Sequence, residues 1–409
     1  MEKILMKVLL LTQWFDPEPT FKGLAFAKEL QKQGHQVQVL TGFPNYPGGK
    51  IYEGYQLKFF QKENIDGISI LRVPLYPSHD NSSLRRIFNY ISFALMAIIF
   101  GIFFTKKSDV IYTYHPPLTV GVVAIIIKFF RKIPVIYDIQ DLWPDTLKAT
   151  GMINNDKILS IINIVCHTVY KYVDHIVVLS PGFEKILIKR NVPSNKITVI
   201  YNWCNENTLD AFSELKSQFK QLMENKFNIV FAGNMGKAQA LDSIIDVAKN
   251  LNESYPRIQF VMVGKGTETE RLKERVINEN IKNIIFIPQQ PMSEVGAILQ
   301  ASDALLVHLK KDELFKITVP SKTQAYMSIG KPIIMAVEGD AADLVINSDC
   351  GKVAIPEDIL SISKAIIDIY SLSKEEQARL AKNAKAFYAA KLSIQEGTKK
   401  FIDVFYKVI

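Results

Sequence analysis

The chain has 409 residues, of which 48% are hydrophobic and 22% charged; this composition excludes a disordered or collagenous protein and suffices for two or three domains. Its net charge of +8 lies in the first half, because residues 1–205 hold 23 Lys and Arg against 15 Asp and Glu, whereas residues 206–409 hold 26 of each. A basic half beside a neutral half indicates an anionic partner, with nucleic acid and anionic lipid as candidates, or serves solubility alone.

Three cysteines and the N-terminal segment bear on the cellular compartment. Cys166, Cys204 and Cys350 are widely separated and lack metal-ligand spacing, so we expect neither a disulfide framework nor a structural zinc, in a reducing compartment. Residues 1–14 contain a short apolar run without a small-residue cleavage site, which is typical of a buried first strand and not of a signal peptide. We therefore expect the protein to stay in the cytosol.

Apolar runs alternate with amphipathic stretches along the whole chain, which is the pattern of βαβ units on parallel sheets. The first series of predicted strands comprises 7–12, 36–41, 68–73, 110–113, 135–138, 175–179 and 197–200. After a polar stretch that follows Asn202, a second series comprises 228–232, 259–263, 284–288, 304–307, 332–336 and 352–354. The sequence thus predicts an α/β protein with two Rossmann-like doubly wound lobes that meet near residue 205 and a ligand site in the interlobe cleft.

Residues 87–105 are almost wholly apolar and are flanked by cations, two arginines at 85–86 and two lysines at 106–107. Their uninterrupted apolar core, residues 93–104, falls short of the ~20 residues that span a bilayer. An interfacial helix, with its flanking cations on lipid phosphates, fits both the length and the charge. A buried core helix is the alternative, since short apolar runs usually have that role.

Polar side chains directly follow two predicted strands of the first half. His115 follows one of them, and Asp138 and Asp141 lie at the end of the next. Side chains of these types at strand ends can bind sugar hydroxyls or transfer protons. Because a carboxylate beside a buried strand is costly without partners, we interpret Asp138 and Asp141 as functional.

Two glycine turns of the second half favour phosphate binding. Gly233 and Gly236 precede Lys237 between a buried strand and a helix, so free backbone amides and a cation stand together near a helix N-terminus. Gly264 and Lys265 repeat the pattern one βα unit later. A glycine turn is also a generic βα connection, so each turn singly leaves both interpretations open.

A third turn, VPSKTQAYMSIGKPII, is more specific. Pro320 and Ser321 are good first residues of a helix whose exposed amides can contact a phosphate, and Lys322 adds charge. No GxSxG, GxxxxGK[ST] or HExxH motif occurs, nor GxGxxG after the first strand, so hydrolase, NTPase and dehydrogenase functions lose their main support. Nucleic acid also loses support, because no aromatic and basic platform accompanies the charge.

Taken together, these segments resemble family 4 glycosyltransferases, which are retaining enzymes with the GT-B fold. Within that family the sequence is most similar to the WbuB-like bacterial enzymes of O-antigen and capsule assembly. The similarity covers essentially the whole chain. It is carried, in order, by LAFAKELQKQGHQVQVLTGFPNYPGG, DIQDLWPD, VIYNWCNEN, FAGNMGKAQALDSI, VMVGKGTE and PSKTQAYMSIGKPI.

The resemblance implies a UDP-sugar donor held by the C-terminal lobe, without a metal or other cofactor. It assigns the diphosphate to Gly233, Asn234 and Lys237, with Ser321 and Lys322 completing the phosphate site. Gly264 and Lys265 would line the nucleotide pocket, and Pro288 and Gln289 would border the base. Positive groups and helix dipoles would stabilise the leaving diphosphate, with Lys237 as the catalytic cation, and the donor phosphate itself would take the acceptor proton. His115, Asp138 and Asp141 then keep positioning or electrostatic roles.

Two departures from the family pattern matter. Many members have a diglycine loop after the first strand, but FDPEPTFKG stands here, with Lys22 and Gly23 as the nearest substitutes for phosphate contact. Many members also carry two glutamates eight positions apart, where this chain has Ile317 and Ala325. Gln324 and Glu313 are then the candidates to replace the contacts of the two absent glutamates with the donor. The identity of the donor sugar is left open.

The favoured hypothesis is therefore a retaining hexosyltransferase that moves a sugar, N-acetyl-L-fucosamine or a related acetamido sugar, from UDP to an undecaprenyl-diphosphate-linked saccharide. The expected partners are the UDP-sugar, the lipid-linked acceptor and the inner face of the cytoplasmic membrane. Predicted domains are an acceptor and membrane lobe at 1–204, a nucleotide-sugar lobe at 205–387, and a C-terminal helix at 388–409 that packs back on the first lobe. A UDP-sugar epimerase of the same fold and a catalytically silent, membrane-anchoring subunit are the alternatives.

Overall fold

The computed structural model describes residues 5–78, 83–149, 152–206 and 214–409. The chain divides into two compact units, unit 1 with Met1–Tyr201 and Gly397–Ile409, and unit 2 with Asn202–Glu396. The predicted boundary at 204/205 lies just after this division. The predicted C-terminal segment 388–409 is shared, since its first residues belong to unit 2 and only residues 397–409 belong to unit 1.

Unit 1 is built on an eight-stranded sheet in the order β3-β4-β2-β1-β5-β6-β7-β8. The strands are β1 Lys7–Leu11, β2 Gln36–Gly42, β3 Gln61–Ile65, β4 Ile68–Val73, β5 Val110–Tyr114, β6 Val135–Ile139, β7 His175–Val178 and β8 Ile197–Val199. The helices are α1 Leu24–Lys32, α2 Ser83–Phe103, α3 Thr119–Arg131, α4 Asp145–Ala149, α5 Asp156–Tyr172 and α6 Pro181–Lys189. Every neighbouring pair is parallel except β3 with β4, which is antiparallel.

Unit 2 carries a six-stranded parallel sheet in the order β11-β10-β9-β12-β13-β14. Its strands are β9 Phe227–Asn234, β10 Ile258–Lys265, β11 Ile284–Ile287, β12 Ala304–His308, β13 Ile333–Ala336 and β14 Gly351–Val353. Its helices are α7 Ser217–Met223, α8 Asp242–Leu251, α9 Thr269–Asn278, α10 Met292–Gln300, α11 Glu313–Lys316, α12 Ser321–Ile329, α13 Asp340–Ser348, α14 Ile359–Tyr370 and α15 Lys374–Phe387. The final helix, α16 Ile394–Val408, enters unit 1.

Two Rossmann-like sheets with alternating helices confirm the predicted α/β fold. The central strands are apolar on both faces, as parallel strands covered by helices must be: Val8 to Leu11 of β1 are all buried. Strand β3, with the sequence QKENI, was not predicted, because an antiparallel edge strand half in water has no continuous apolar run.

Helix α2 contains most of the apolar segment 87–105 and begins before the uninterrupted apolar run 93–104. Within the described part of the chain, Leu84–Phe103 is the one stretch long and apolar enough to cross a membrane. Its inner face is buried against β2, β4 and α3 and includes Phe93, Ala97 and Phe100. Its outer face is apolar as well but exposed: Leu84, Phe88, Ile91, Leu95, Ile99 and Phe103. The helix is thus neither wholly buried nor covered by polar residues.

Candidate functional site

The glycine turns of unit 2 lie side by side at the carboxyl ends of β9 and β10. These strands pair as far as Gly233 with Gly264 and Asn234 with Lys265. Both glycines have positive φ, 138° and 134°. A Cβ on Gly264 would lie 2.0 Å from the Gly233 carbonyl oxygen, so only glycine allows the two strands to approach here.

Replacing Gly264 by Ala is therefore expected to destabilise the protein by about 1–3 kcal/mol and to distort the end of β9. Chemical denaturation measures the loss of stability. Gly48→Ala is the matched control, because a Cβ there meets no atom within 4 Å. An unfolding midpoint of Gly264→Ala equal to that of Gly48→Ala would contradict the close approach.

The turn after β9 is fixed by hydrogen bonds to its neighbours. The Gly236 amide donates to Gln239 Oε1 at 3.1 Å. His308, at the end of β12, contacts the Gln239 carbonyl oxygen through Nδ1 at 2.6 Å, and its Nε2 accepts from the Glu357 amide at 3.1 Å. These contacts make His308 a neutral Nδ1–H tautomer. Lys237 lies in the same turn, with its side chain exposed to solvent.

Helix α12 begins at the same edge of the unit 2 sheet. Ser321, its first residue, is exposed, whereas the ammonium nitrogen of Lys322 is buried with no hydrogen-bond partner among the described residues. That nitrogen lies 3.4 Å from the position of a Cβ on Gly233. Structure thus brings Lys322 next to the β9 glycine turn, as a joint phosphate site requires.

Gln324 has a different position from the predicted one. It is buried, and with its nitrogen as donor it reaches the carbonyl oxygens of Pro320 and Ser321 at 3.0 and 3.1 Å. The side-chain amide of Gln324 is therefore used in hydrogen bonds within the first turn of α12. Glu313 is exposed and pairs with Lys316 at 2.6 Å, so neither side chain takes the place of the absent glutamates at Ile317 and Ala325.

Three further predicted residues of unit 2 are exposed at the same ends of the strands. Lys265 ends β10, and Pro288 and Gln289 directly follow β11. Asn234, at the end of β9, is exposed too. Exposure of these side chains is compatible with ligand contact, and their roles toward a nucleotide stay predictions.

In unit 1, the expected phosphate contact of Lys22 is wrong. Lys22 is fully buried and its Nζ lies 2.8 Å from Asp138 Oδ2, with both side chains inaccessible to solvent. The same carboxylate accepts from Tyr112 Oη at 2.6 Å and from Gln140 Nε2 at 2.6 Å. Lys22 Nζ also lies 5.2 Å from the ring centroid of Phe401 on α16. Lys22 and Asp138 thus form a structural ion pair between the loop after β1 and strand β6.

Gly23 has a structural role as well. It precedes α1, and the first amide of that helix, Leu24 N, donates to Asp16 Oδ2 at 2.6 Å. A Cβ on Gly23 would lie 2.1 Å from the same oxygen, so glycine is needed for this contact. Because the Asp16 carboxylate already accepts from the first amide of α1, a phosphate at Gly23 would have to compete with it, and the expected phosphate contact of Gly23 stays a prediction.

His115 lies buried after β5, between the rings of Tyr137 and Trp143. Its Nδ1 has no hydrogen-bond partner among the described residues, and burial lowers the pKa of the imidazole to about 3. His115 is thus neutral at physiological pH, which suits positioning and not proton transfer as an imidazolium. Burial also raises the pKa of Asp141, which follows β6.

Glu18, in the loop FDPEPTFKG, was not among the predicted site residues. Its buried carboxylate accepts from the amides of Asn45 and Tyr46, both at 2.8 Å, and of Phe15 at 3.1 Å. Burial raises its pKa to about 7 despite these hydrogen bonds. Glu18 holds together the loops after β1 and β2, where Trp14 and Tyr46 stack at 4.3 Å. A carboxylate so close to a buried strand is the signal that could have identified it.

Two protein-family models match the chain, one in each half. Residues 24–203 match the glycosyl transferase 4-like domain, and residues 212–387 match the glycosyl transferases group 1. The chain is 25% identical over 351 residues to the putative colanic acid biosynthesis glycosyl transferase WcaI of Escherichia coli K12, which covers 81% of this chain and 84% of that protein.

Two other similarities concern a lipid-related enzyme and a solved structure. The chain is 29% identical over 163 residues to the alpha-galactosylglucosyldiacylglycerol synthase of Streptococcus pneumoniae, which covers 37% of this chain and 41% of that protein. The crystal structure of Anabaena HepE in complex with UDP and glucose superposes with a TM-score of 0.67 at 16% identity, over 98% of this chain and 99% of that one.

The superposition with HepE shows the GT-B fold, and the two family models identify the domains that are built on it. The chain is a glycosyltransferase, with a glycosyl transferase 4-like domain followed by a group 1 glycosyltransferase domain.

Proposed function

We propose that this glycosyltransferase transfers a sugar from a UDP-sugar to an undecaprenyl-diphosphate-linked saccharide, with retention of configuration, in the assembly of a bacterial surface polysaccharide. The similarity to the colanic acid biosynthesis glycosyl transferase WcaI and the UDP in the HepE complex support the reaction class and the donor. N-acetyl-L-fucosamine or a related acetamido sugar is the proposed donor sugar, on the resemblance to WbuB-like enzymes.

The observation that carries the lipid-linked acceptor is the exposed apolar face of α2. Leu84, Phe88, Leu95 and Phe103 expose 69%, 63%, 58% and 74% of their surface, which is unusual for large apolar side chains in one row of a helix. Cations stand at both ends of this helix in the sequence. A bilayer satisfies both features, because acyl chains cover the apolar face and lipid phosphates meet the cations.

The proposed mechanism needs no metal and no protein base. Lys237, Lys322 and the N-terminus of α12 would stabilise the negative charge that develops on the leaving diphosphate. The donor phosphate would accept the proton of the attacking hydroxyl. His115 and Asp141 would position the acceptor, since burial keeps the imidazole of His115 uncharged.

The experiment is to incubate the purified protein and bacterial membranes with a panel of UDP-sugars and to analyse the lipid extract by mass spectrometry. The expected product is an undecaprenyl-diphosphate-linked saccharide that is longer by one sugar for one donor of the panel. Sugar found only in free UDP-linked form, as its epimer, would instead identify the epimerase.

A silent membrane-anchoring subunit is the second candidate, because Ile317 and Ala325 replace the two glutamates of the family pattern. Isothermal titration calorimetry with UDP separates the two. A transferase binds UDP and loses affinity on Lys237→Ala, whereas a silent subunit gives no heat of binding with either protein.

A further inference from the structure

Lys322 has an unusual environment for a lysine. Its ammonium nitrogen is buried and lies 3.5 Å from the centroid of the Phe231 ring, and no hydrogen-bonding group faces it among the described residues. An aromatic face stabilises a cation only modestly, whereas burial of an unpaired charge is costly. Burial accordingly lowers the pKa of Lys322 to about 7, so the amine loses its proton far more readily than that of an ordinary lysine.

The nitrogen is directed at the proposed phosphate site. It lies 3.4 Å from the position of a Cβ on Gly233, whose missing side chain leaves this end of β9 open. Lys322 is also in the first turn of α12, whose N-cap Pro320 makes no side-chain capping bond. Free amides, the helix dipole and the lysine therefore converge where an anion would enter.

The surrounding titratable groups supply no counter-charge. His308, on β12, is buried, which lowers its pKa, and the charge of Lys322 lowers it further. Tyr326, one turn along α12, accepts from the Ala232 amide at 2.8 Å, and burial raises its pKa, so it stays neutral. Among the described residues no carboxylate pairs with Lys322, so the counter-charge must come from a ligand.

We propose that Lys322, whose buried nitrogen faces the Gly233 turn without a hydrogen-bond partner among the described residues, is a proton-linked receptor for the donor diphosphate: the arriving phosphate draws a proton onto its amine. The inference rests on the proposed UDP-sugar donor. An anion beside the amine favours its charged form and raises its pKa, so binding takes up a proton at any pH between the free and bound values. The affinity for UDP then falls as the pH rises above 7.

Isothermal titration calorimetry of UDP at pH 8, in buffers of different ionisation enthalpy, measures the number of protons taken up. At pH 8 the nucleotide is almost fully ionised, so the uptake comes from the protein, and we expect it to approach one proton per UDP bound. At pH 7 we expect a smaller net uptake, because more of the free protein already carries the proton and any proton that UDP loses on binding is subtracted. Lys322→Met should bind UDP at least tenfold more weakly and without uptake at pH 8. Lys322→Arg should bind without uptake, because a guanidinium stays charged.

Lys237→Met is the matched control, because this lysine lies in the same site with an exposed side chain. It should weaken UDP binding and leave the proton uptake at pH 8 unchanged. UDP binding whose heat is independent of the buffer at pH 8, or uptake that persists in Lys322→Met, would overturn the proposal and leave the donor intact. A chain that binds no UDP would overturn both the proposed donor and the proton linkage.

Discussion

Replacing Lys22 by Met is expected to lower the free energy of unfolding of unit 1 by about 3–5 kcal/mol, because it leaves the Asp138 carboxylate buried without its counter-charge. Both side chains are fully buried, and their atoms are 2.8 Å apart. Tyr112 and Gln140 would still donate to the carboxylate, but neutral donors cannot offset the cost of a buried anion.

Urea denaturation followed by tryptophan fluorescence measures this loss in a Trp203→Phe background, where the two remaining tryptophans, Trp14 and Trp143, both lie in unit 1. Lys28→Met is the control, since Lys28 pairs with Asp66 at the same 2.8 Å but on the surface, where such a pair contributes about 0–1 kcal/mol. The double variant Lys22→Met, Asp138→Asn should recover part of the stability, because it removes both charges. Equal losses of unfolding free energy for Lys22→Met and Lys28→Met would show that the buried Lys22–Asp138 pair does not stabilise unit 1 more than a surface pair does.

Changing Leu95, Ile99 and Phe103 to Ser is expected to release the protein from membranes. If each side chain loses about 1 kcal/mol of apolar burial in lipid, the three together reduce membrane binding roughly 100-fold. Co-sedimentation with anionic vesicles measures the bound fraction. Phe93 is left unchanged, because it lies on the buried inner face of α2, where its substitution by Ser would destabilise unit 1.

The control for this variant is a triple substitution of equally exposed apolar residues in unit 2, namely Ile277, Ile346 and Leu360 to Ser. Membrane binding of this control should match that of the unsubstituted protein. If cations contribute, raising the salt concentration should weaken binding of the unsubstituted protein to anionic vesicles. Equal sedimentation of both triple variants would exclude the outer face of α2 as the membrane contact.

The fold could be predicted from the sequence because parallel strands buried on both faces are continuous apolar runs. Each predicted strand is present, from Lys7–Leu11 to Gly351–Val353. Strand β3 was not predicted, because its residues alternate between half-buried and exposed positions at the edge of the sheet and form no apolar run. Helix α2 begins well before the uninterrupted apolar run 93–104, because polar Asn89 is accommodated in it: Asn89 is buried and hydrogen bonded to Gln13, Asn45 and Tyr76.

The candidate site could be predicted only where function and local pattern coincide. Gly233 and Gly264 lie at the ends of β9 and β10, and Lys322 lies in the first turn of α12, so the sequence pattern locates them at one edge of the unit 2 sheet; their contact with a phosphate stays a prediction. Lys22 has the same local features, a lysine before a glycine and a helix, but its partner Asp138 lies far away in the sequence, so its burial in an ion pair could not be foreseen. Sequence patterns show which residues reach a strand end, whereas long-range partners decide which of them stay open to a ligand.

The return of the chain to unit 1 has a consequence for the order of folding during synthesis. Unit 2 is one continuous stretch, whereas unit 1 needs residues 397–409, which are synthesised only after the whole of unit 2. Phe401 packs on Phe26 and Tyr112, with ring centroids 5.2 and 5.3 Å apart, and these partners are synthesised hundreds of residues earlier. The sheet of unit 1 therefore stays incompletely covered while unit 2 is synthesised. A chain that stops before residue 397 would leave the apolar surface of that sheet open to chaperones.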